Sequence, residues 1–258
     1  MLESLRWLNV PEDTAQAILA SSTPETVQST HAVLRRELGS VGVPAPLPDH
    51  PDAPYFYVHA FLAVLPDTRK WHADRGIPEE ISRATLSDLA GKLAEEDGKA
   101  LTMQTWLSRH FRGSLYRLGR LQFDRTVVDG EPVLEVHIPG DGPLEPDACD
   151  ESFAQAADFF SRHFPEERYR RAVCHSWLFD EQLNDYLSPD TNILKFQRRF
   201  TIDGGSDSAD EDIVNSIFGY HVDRSDLPQR TSLQRAIGTH LAEGNHWHHR
   251  TGRLTLPG

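Results

Sequence analysis

Residues 134–144, LEVHIPGDGPL, pass from a strand pattern directly into a loop of glycine and proline. Polar and apolar residues alternate over 133–138, which predicts a strand with Glu135 and His137 on one face. After the loop, an apolar stripe predicts an amphipathic helix over 151–163. This strand, loop and helix are the centre around which the rest of the fold is predicted.

Strand signals continue on both sides of this centre. Upstream, 115–128 is rich in leucine, phenylalanine and valine, and Asp129-Gly130 predicts a hairpin turn before the strand 133–138. The later elements are predicted to be strands at 169–179 and 193–202, a short helix at 181–187, a solvated acidic loop at 203–212, and helices near 211–219 and 231–243. The order is β-β-α-β-α-β.

The first 112 residues are predicted to be nearly all helical. Proline followed by acidic residues marks helix starts at Pro11 and Pro78, since both residue types favour a first turn. Residues 22–25 are predicted to open another helix, and Thr102 is a predicted N-cap. The five prolines of 42–54 predict a stiff connector, and the apolar stretch 55–65 predicts a helix or core segment.

Composition excludes several classes of protein. A net charge of −13 disfavours binding to duplex nucleic acid or to an anionic membrane. Two cysteines are too few for a disulfide framework, and the longest apolar stretch is about half of a membrane span. The acidic N-terminus has no long apolar segment typical of a signal peptide. These features predict a cytoplasmic protein.

Several segments resemble a bacterial acyltransferase family. They are FRGSLYRLGRLQF (111–123), LEVHIPGDGPL (134–144), CHSWLF (174–179), NILKFQRRF (192–200) and, in the helical half, RGIPEEISRATLSDL (75–89). Members join a helical N-acyltransferase N-terminal domain to a C-terminal domain that resembles the GNAT (GCN5-related N-acetyltransferase) fold. The resemblance implies an α+β protein, with a helical N-terminal domain (1–112) followed by a GNAT-like mixed-sheet C-terminal domain (113–258).

The same resemblance implies an activity. The chain would transfer an acyl group from acyl-CoA, or from an acyl-carrier thioester, to an amine or hydroxyl of an unknown small-molecule acceptor. No metal is expected. In a GNAT domain the thioester donor lies where the fourth and fifth strands diverge, and the next helix's N-terminus faces the pyrophosphate.

This arrangement places donor contacts at Ile138, Gly140 and Gly142. The loop departs from the usual GNAT pattern because no basic residue leads it, Asp141 adds a negative charge and Pro143 lacks an N–H. In addition, the helix is predicted to start only at 151. An ordinary strand-to-helix turn is therefore the alternative interpretation.

Arginine is concentrated just before this segment. Residues 109–125 contain five arginines and a single acidic residue, which reverses the overall charge balance. Arginine suits phosphate because its guanidinium donates two parallel hydrogen bonds. Arg117 and Arg120 are the first candidates for donor binding. The alternative is that the cluster pairs with the acidic helical half.

Three residues are catalytic candidates. His137, or Glu135 acting through water, could remove the acceptor's proton. The alternative is a solvent-facing pair or a histidine fixed by a structural hydrogen bond. Tyr186 matches by position the tyrosine that protonates the leaving thiolate in many GNAT enzymes, although it could equally anchor its short helix.

The strand 169–179 carries candidate substrate contacts. Cys174 and Ser176 share one face, and Trp177 is predicted to be a pocket wall or a core residue. Two rival functions remain open. The chain could be a thioesterase or another hydrolase that uses Cys174 or Ser176, although a cysteine in a central strand is usually a small core residue. It could also be an inactive ligand-binding or regulatory module.

The tail contains closely spaced histidines, namely His240, His246, His248 and His249. Such a cluster can hold zinc or nickel. No HExxH pattern or cysteine partner accompanies it, so a structural or exposed role is predicted.

Overall fold

The computed structural model describes residues 1–21, 26–48, 54–95, 103–219 and 222–257. The chain divides into two compact units. Unit 1 comprises Met1–Leu118, Gln122–Pro132 and Arg162–Pro165, and unit 2 comprises Gly119–Leu121, Val133–Ser161 and Glu166–Gly258. The helix start predicted at 22–25, the N-cap predicted at Thr102 and residues 49–53 of the connector lie outside the described residues. The predicted α+β class is confirmed, whereas the domain limits 1–112 and 113–258 stay a prediction.

Unit 1 is mainly helical, as predicted. Its helices are α1 (Leu2–Trp7), α2 (Glu12–Ala20), α3 (Val27–Arg36), α4 (Phe56–Asp74), α5 (Glu79–Leu86), α6 (Asp88–Glu95) and α7 (Gln104–Phe111). Pro11 and Pro78 are the N-caps of α2 and α5, in agreement with the predicted starts. None of the described helices combines the length and apolar character needed to cross a membrane.

Helix α4 forms the centre of this unit's core. Phe56, Ala60, Phe61 and Val64 are all buried on it, and Phe61 stacks on Phe111 with ring centroids 4.6 Å apart. Residues 56–65 of the predicted apolar segment are therefore helical, and the helix, nineteen residues long in all, ends at Asp74. Burial lowers the pKa of His72, near the end of α4, to about 4, so this imidazole is neutral at pH 7.

Unit 1 also contains most of the first two strands, β1 (Leu115–Leu118) and β2 (Leu121–Val128). The continuous pattern predicted over 115–128 is interrupted at Gly119, whose φ of 65° belongs to a tight turn. Asp129 and Gly130 both have positive φ, 53° and 79°, which is the geometry of the type I′ turn that their sequence predicts.

Unit 2 holds a mixed sheet. Its strands are β3 (Glu131–His137, in this unit from Val133), β4 (Arg171–Ser176), β5 (Thr201–Ser208) and β6 (His248–Thr255), in the spatial order β3-β4-β6-β5. β3 and β4 are parallel, and β6 is antiparallel to β4 and β5. Ser176 pairs with Arg250, and Ser208 pairs with His248. The carboxyl ends of β3, β4 and β5 and the amino end of β6 thus lie along one edge, called here the carboxyl edge.

The helices of unit 2 are α8 (Pro146–His163, in this unit as far as Ser161), α9 (Asn192–Gln197), α10 (Asp210–Phe218) and α11 (Ser232–Ala242). Helix α8 begins at Pro146 and not at residue 151, since proline at the first helical position has the required φ and no N–H to lose. The predictions of α10 and α11 are confirmed. Two short 3-10 helices, Trp177–Phe179 and Glu181–Asp185, replace the end of the strand predicted over 169–179 and the helix predicted at 181–187.

Two predictions near the end of the chain were wrong. Residues predicted as a strand over 193–202 form helix α9 and the first residues of β5, because Phe196 packs in an aromatic cluster with Phe200 and Phe179. The acidic stretch 203–212, predicted as a loop, is most of β5 and the first turn of α10. Strand β6 was not predicted, because its polar sequence shows no apolar alternation.

Gly252 lies in the middle of β6, where it pairs with Cys174 and Ile202. A Cβ at this position would lie 2.9 Å from Phe179 Cζ and 2.9 Å from Phe200 Cβ. We expect Gly252→Ala to lower the free energy of unfolding by about 1–3 kcal/mol, measured by urea denaturation, because a tightly packed core tolerates an added methyl group poorly.

The matched control is Gly205→Ala on β5, where the nearest atom to the new Cβ is His249 O at 3.5 Å. It should change the free energy of unfolding by less than about 1 kcal/mol. Equal losses in the two variants would contradict the steric explanation.

Candidate active site

The two parallel strands of unit 2 separate at the carboxyl edge. Their ladder pairs Leu134 with Ala172 and Glu135 with Val173. The residues that follow on both strands line a cavity of about 490 Å³. This volume lies in the range of small-molecule and cofactor sites. The cavity therefore opens where parallel pairing ends.

Strands, a loop and helices of unit 2 together form the cavity wall. Val136, His137 and Ile138 come from the end of β3 and the residue after it, and Cys174, His175 and Ser176 come from β4. The loop after β3 contributes Gly140, Gly142 and Leu144. Helices α9, α10 and α11 contribute Asn192, Ile193, Asp212, Ser216, Ile217 and Leu233.

Arg120 fixes the loop after β3 and also lines the cavity. Its Nε donates to Pro143 O at 2.8 Å, and its Nη2 donates to Gly142 O at 2.5 Å. Its Nη1 lies 3.9 Å from the Asp141 carboxylate. The backbone N–H of Arg120 donates to Ser152 Oγ on α8 at 2.8 Å. Arg120 thus ties the loop to the helix that follows it.

Two further acidic side chains near the start of α8 have polar partners. Asn192 Nδ2 donates to Glu145 Oε1 at 3.0 Å, and Arg199 Nε donates to Asp150 Oδ1 at 2.7 Å. The Arg199 guanidinium offsets the charge of Asp150, whereas the neutral Asn192 amide supplies a hydrogen bond to Glu145. Since α8 begins at Pro146, its first amides and the positive end of its dipole lie close behind the loop and can face an anion.

The predicted general base His137 and its neighbour Glu135 lie close together at the end of β3. His137 Nε2 lies 3.6 Å from Glu135 Oε2, and the two side chains are 20% and 29% exposed. Only His137 lines the cavity. Glu135 does not line the cavity, but its carboxylate is close enough to the His137 imidazole to orient it and to stabilise its charged form.

The cysteine and serine of β4 also line the cavity, but their surroundings limit their chemistry. Cys174 is 2% exposed, and burial together with the charge of Glu135 raises the pKa of its thiol well above the usual range. Ser176 Oγ accepts a hydrogen bond from Leu178 N at 3.1 Å and caps the 3-10 helix that begins at Trp177. Trp177, the third predicted substrate contact, is buried in the wall.

Besides Glu135, two predicted site residues do not line this cavity. Tyr186 follows the second 3-10 helix, and its hydroxyl lies 3.0 Å from His240 Nδ1. Its ring also packs near Trp247, with centroids 6.0 Å apart. Arg117 belongs to unit 1, where its backbone N–H donates to Thr85 Oγ1 at 2.9 Å.

The structure adds a polar group that sequence reasoning missed. His175 Nδ1 lies 3.1 Å from Thr251 Oγ1, and the His175 and His249 rings are 5.1 Å apart. His249 Nε2 in turn lies 3.0 Å from Asp212 Oδ2. Sequence reasoning could not find this group, because the acidic stretch containing Asp212 was predicted to be a loop and strand β6, which carries His249, was not predicted.

The tail histidines are held by aspartates. Besides the pair of His249, His246 Nδ1 lies 2.7 Å from Asp210 Oδ2, and His248 Nδ1 lies 3.5 Å from Asp180 Oδ2. The backbone N–H of His248 also donates to Asp180 at 2.8 Å. These contacts support the predicted structural role.

Comparison with known proteins establishes the family. The family described as GNAT-like C-terminal domain matches residues 115–254, which is more than half of the chain. The N-acyltransferase N-terminal domain family matches residues 2–113. The chain belongs to this family of acyltransferases. The predicted family and the GNAT-like fold are thereby confirmed.

Solved structures agree with this assignment. A mutant acyltransferase in complex with octanoyl-CoA and an acyltransferase in complex with CoA and 10C-teicoplanin are each 39% identical to the chain, with a TM-score of 0.91. An acyltransferase in complex with decanoyl-CoA and teicoplanin is 40% identical, also with a TM-score of 0.91. Each match covers 99% of this chain and 87% of the other chain. No curated protein matches the chain.

Both cysteines of this acyltransferase are free and buried, and burial raises the pKa of Cys149 as well as that of Cys174. We expect both thiols to react with Ellman's reagent at pH 8 at least about 100-fold more slowly in the native protein than in 8 M urea, because the thiolate is the reactive form. Rapid labelling of native Cys174, identified with the Cys149→Ala variant, would contradict its assignment as an inert wall residue.

Proposed function

We propose that this acyltransferase moves a medium-length acyl group from acyl-CoA to an amine of its acceptor, by direct attack within a complex of enzyme, donor and acceptor. The observation that carries the proposal is the cavity that opens where β3 and β4 separate after Glu135 and Val173. The bound octanoyl-CoA and decanoyl-CoA of the similar structures support acyl-CoA as co-substrate and medium chain lengths as the first to test.

The loop after β3 and the start of α8 would hold the donor's phosphates. A Cβ built at Gly140 meets nothing within 4 Å, and one built at Gly142 meets only Arg120 Nε at 4.0 Å. Phosphate oxygens can therefore approach the loop backbone closely. The backbone of Ile138, which follows the last pair of the β3–β4 ladder, would bind the donor's amide-bearing arm, and the thioester would lie between the strand ends.

His137 is the proposed general base. When the acceptor nitrogen bonds to the thioester carbonyl carbon, His137 accepts a proton from that nitrogen. The carbon–sulfur bond then breaks, the electron pair stays on sulfur, and the CoA thiolate takes a proton from His137 or from water. Glu135 acts through His137, because it touches the imidazole and does not line the cavity.

His175 is the second candidate for the base. It lies at the end of β4 in the same cavity, and its ring contacts the Thr251 hydroxyl and lies beside the tilted His249 ring. The prediction that Tyr186 protonates the thiolate stays open. Its hydroxyl faces His240, and a Tyr186→Phe variant with unchanged turnover would remove it from the mechanism.

The rival functions have less support. A thioesterase would need an activated nucleophile, whereas Cys174 is held as a neutral thiol and the Ser176 hydroxyl caps a 3-10 helix. An inactive module is disfavoured by membership of an acyltransferase family whose structures hold acyl-CoA. The co-crystallised teicoplanin makes a glycopeptide amine the first acceptor to test.

Arg120→Ala should raise the Kd for CoA about tenfold or more, measured by isothermal titration calorimetry, because the loop loses two charge-assisted hydrogen bonds that hold its shape. Arg117→Ala removes the same charge outside the cavity and should change the Kd less than about twofold. The role proposed for Arg120 is wrong if the two variants bind CoA equally well.

His137→Gln should lower kcat about 10²–10⁴-fold while the Kd for acyl-CoA stays within about threefold, because only the proton acceptor is removed. Release of CoA thiol with octanoyl-CoA and teicoplanin measures the rate. Cys174→Ala, in the same wall, should keep kcat within about threefold. A larger loss in His175→Gln than in His137→Gln would transfer the role of base to His175.

A further inference from the structure

The connection between β5 and β6 carries two helices to the cavity. It leaves the sheet after Ser208 and returns at His248, and these two residues pair with each other. Two antiparallel neighbours can be joined by a turn of two residues. The connection instead contains α10 and α11, which contribute four residues to the cavity wall.

Polar contacts hold both ends of this connection together. Ala209 N donates to Trp247 O at 2.8 Å, and Trp247 N donates to Asp210 Oδ1 at 2.7 Å. His246 and His249 pair with Asp210 and Asp212, as described above. The first turn of α10 is thus fixed against the amino end of β6, and its side chains hold a defined place in the cavity wall.

The strand order places α10 and α11 on the far side of the cavity from the phosphate loop. Along the carboxyl edge, the phosphate loop lies at the end of β3. Strands β4 and β6 come next in the sheet, and the helices begin at the end of β5, on the other side. In the proposed function, a donor with its phosphates at the loop and its thioester between β3 and β4 would extend its acyl group toward α10 and α11.

The helices present apolar side chains there. Ile217 and Leu233 line the cavity and are half-buried, whereas Ile213 and Val214 of α10 are buried in the core. Covering half-exposed apolar surface with an alkyl chain is favourable. The carboxylate of Asp212, which also lies in the wall, contacts the His249 imidazole and accepts a hydrogen bond from the Ser216 hydroxyl at 3.4 Å.

We infer that Ile217 and Leu233 form the far end of the acyl-chain site and set the longest acyl group that the enzyme accepts. The inference rests on the proposed function, since it needs acyl-CoA as the donor. The connection between β5 and β6 thereby takes part in selecting the acyl donor.

The test is calorimetric titration of free CoA and of octanoyl-, decanoyl-, dodecanoyl- and tetradecanoyl-CoA into the full chain and its variants. In the unmodified protein, affinity should rise about fourfold for each buried methylene and then stop rising at a limiting length. Ile217→Ala and Leu233→Ala should move that limit to longer chains and tighten binding of the first excluded chain at least fivefold. Ile217→Trp should move the limit to shorter chains.

Leu241→Ala is the matched control, because Leu241 is a half-buried leucine on α11 outside the cavity wall. It should leave the whole series unchanged. The inference is overturned if the Ile217 and Leu233 variants show the same dependence of Kd on acyl-chain length as the control variant. It is also overturned if they change the Kd of free CoA and of every acyl-CoA by the same factor. Absence of acyl-CoA binding by the unmodified protein would instead refute the proposed function.

Discussion

The site depends on a parallel ladder that ends after two described pairs. Backbone N–H and C=O groups that leave a ladder need other hydrogen-bond partners, so diverging strands present polar groups to whatever occupies the space between them. Here that space is bounded by His137 on β3 and His175 on β4. A ligand with amides and a carbonyl, such as a CoA thioester, can form hydrogen bonds with the backbone groups at the strand ends. Its reacting carbon can then lie beside both imidazoles.

Charge is the second constraint, since an acidic chain has to accommodate a polyanion. The net charge of −13 repels phosphate at long range, but salt screens charges separated by more than about 8–10 Å. Close to the loop, Arg120 approaches Asp141, and Arg199 and Asn192 bind the acids at the start of α8. The electrostatic potential near the loop is therefore determined by these few contacts and by the amino end of α8.

Sequence reasoning located the part of the site that lies close together along the chain. The alternation in 133–138 and the loop after it were sufficient to find His137, Gly140 and the strand–loop–helix unit. The helix start at Pro146 was missed because apolar periodicity appears only later in α8. Strand β6 carries no apolar alternation, and its central position follows from pairing on both sides. Without β6, neither the contact between His249 and Asp212 nor the place of α10 beside the cavity could be inferred.

The position of β6 also affects how the protein folds during synthesis. β4 and β5 are not neighbours in the sheet, because β6, which follows both in the chain, lies between them. A growing chain that ends before residue 248 therefore has two strand edges with no partner, and exposed edges of this kind invite pairing with other chains. The wall that contains Ile217 and Leu233 likewise cannot take its place until β6 has been added. The sheet of this unit therefore becomes continuous only after residues 248–255 have been synthesised.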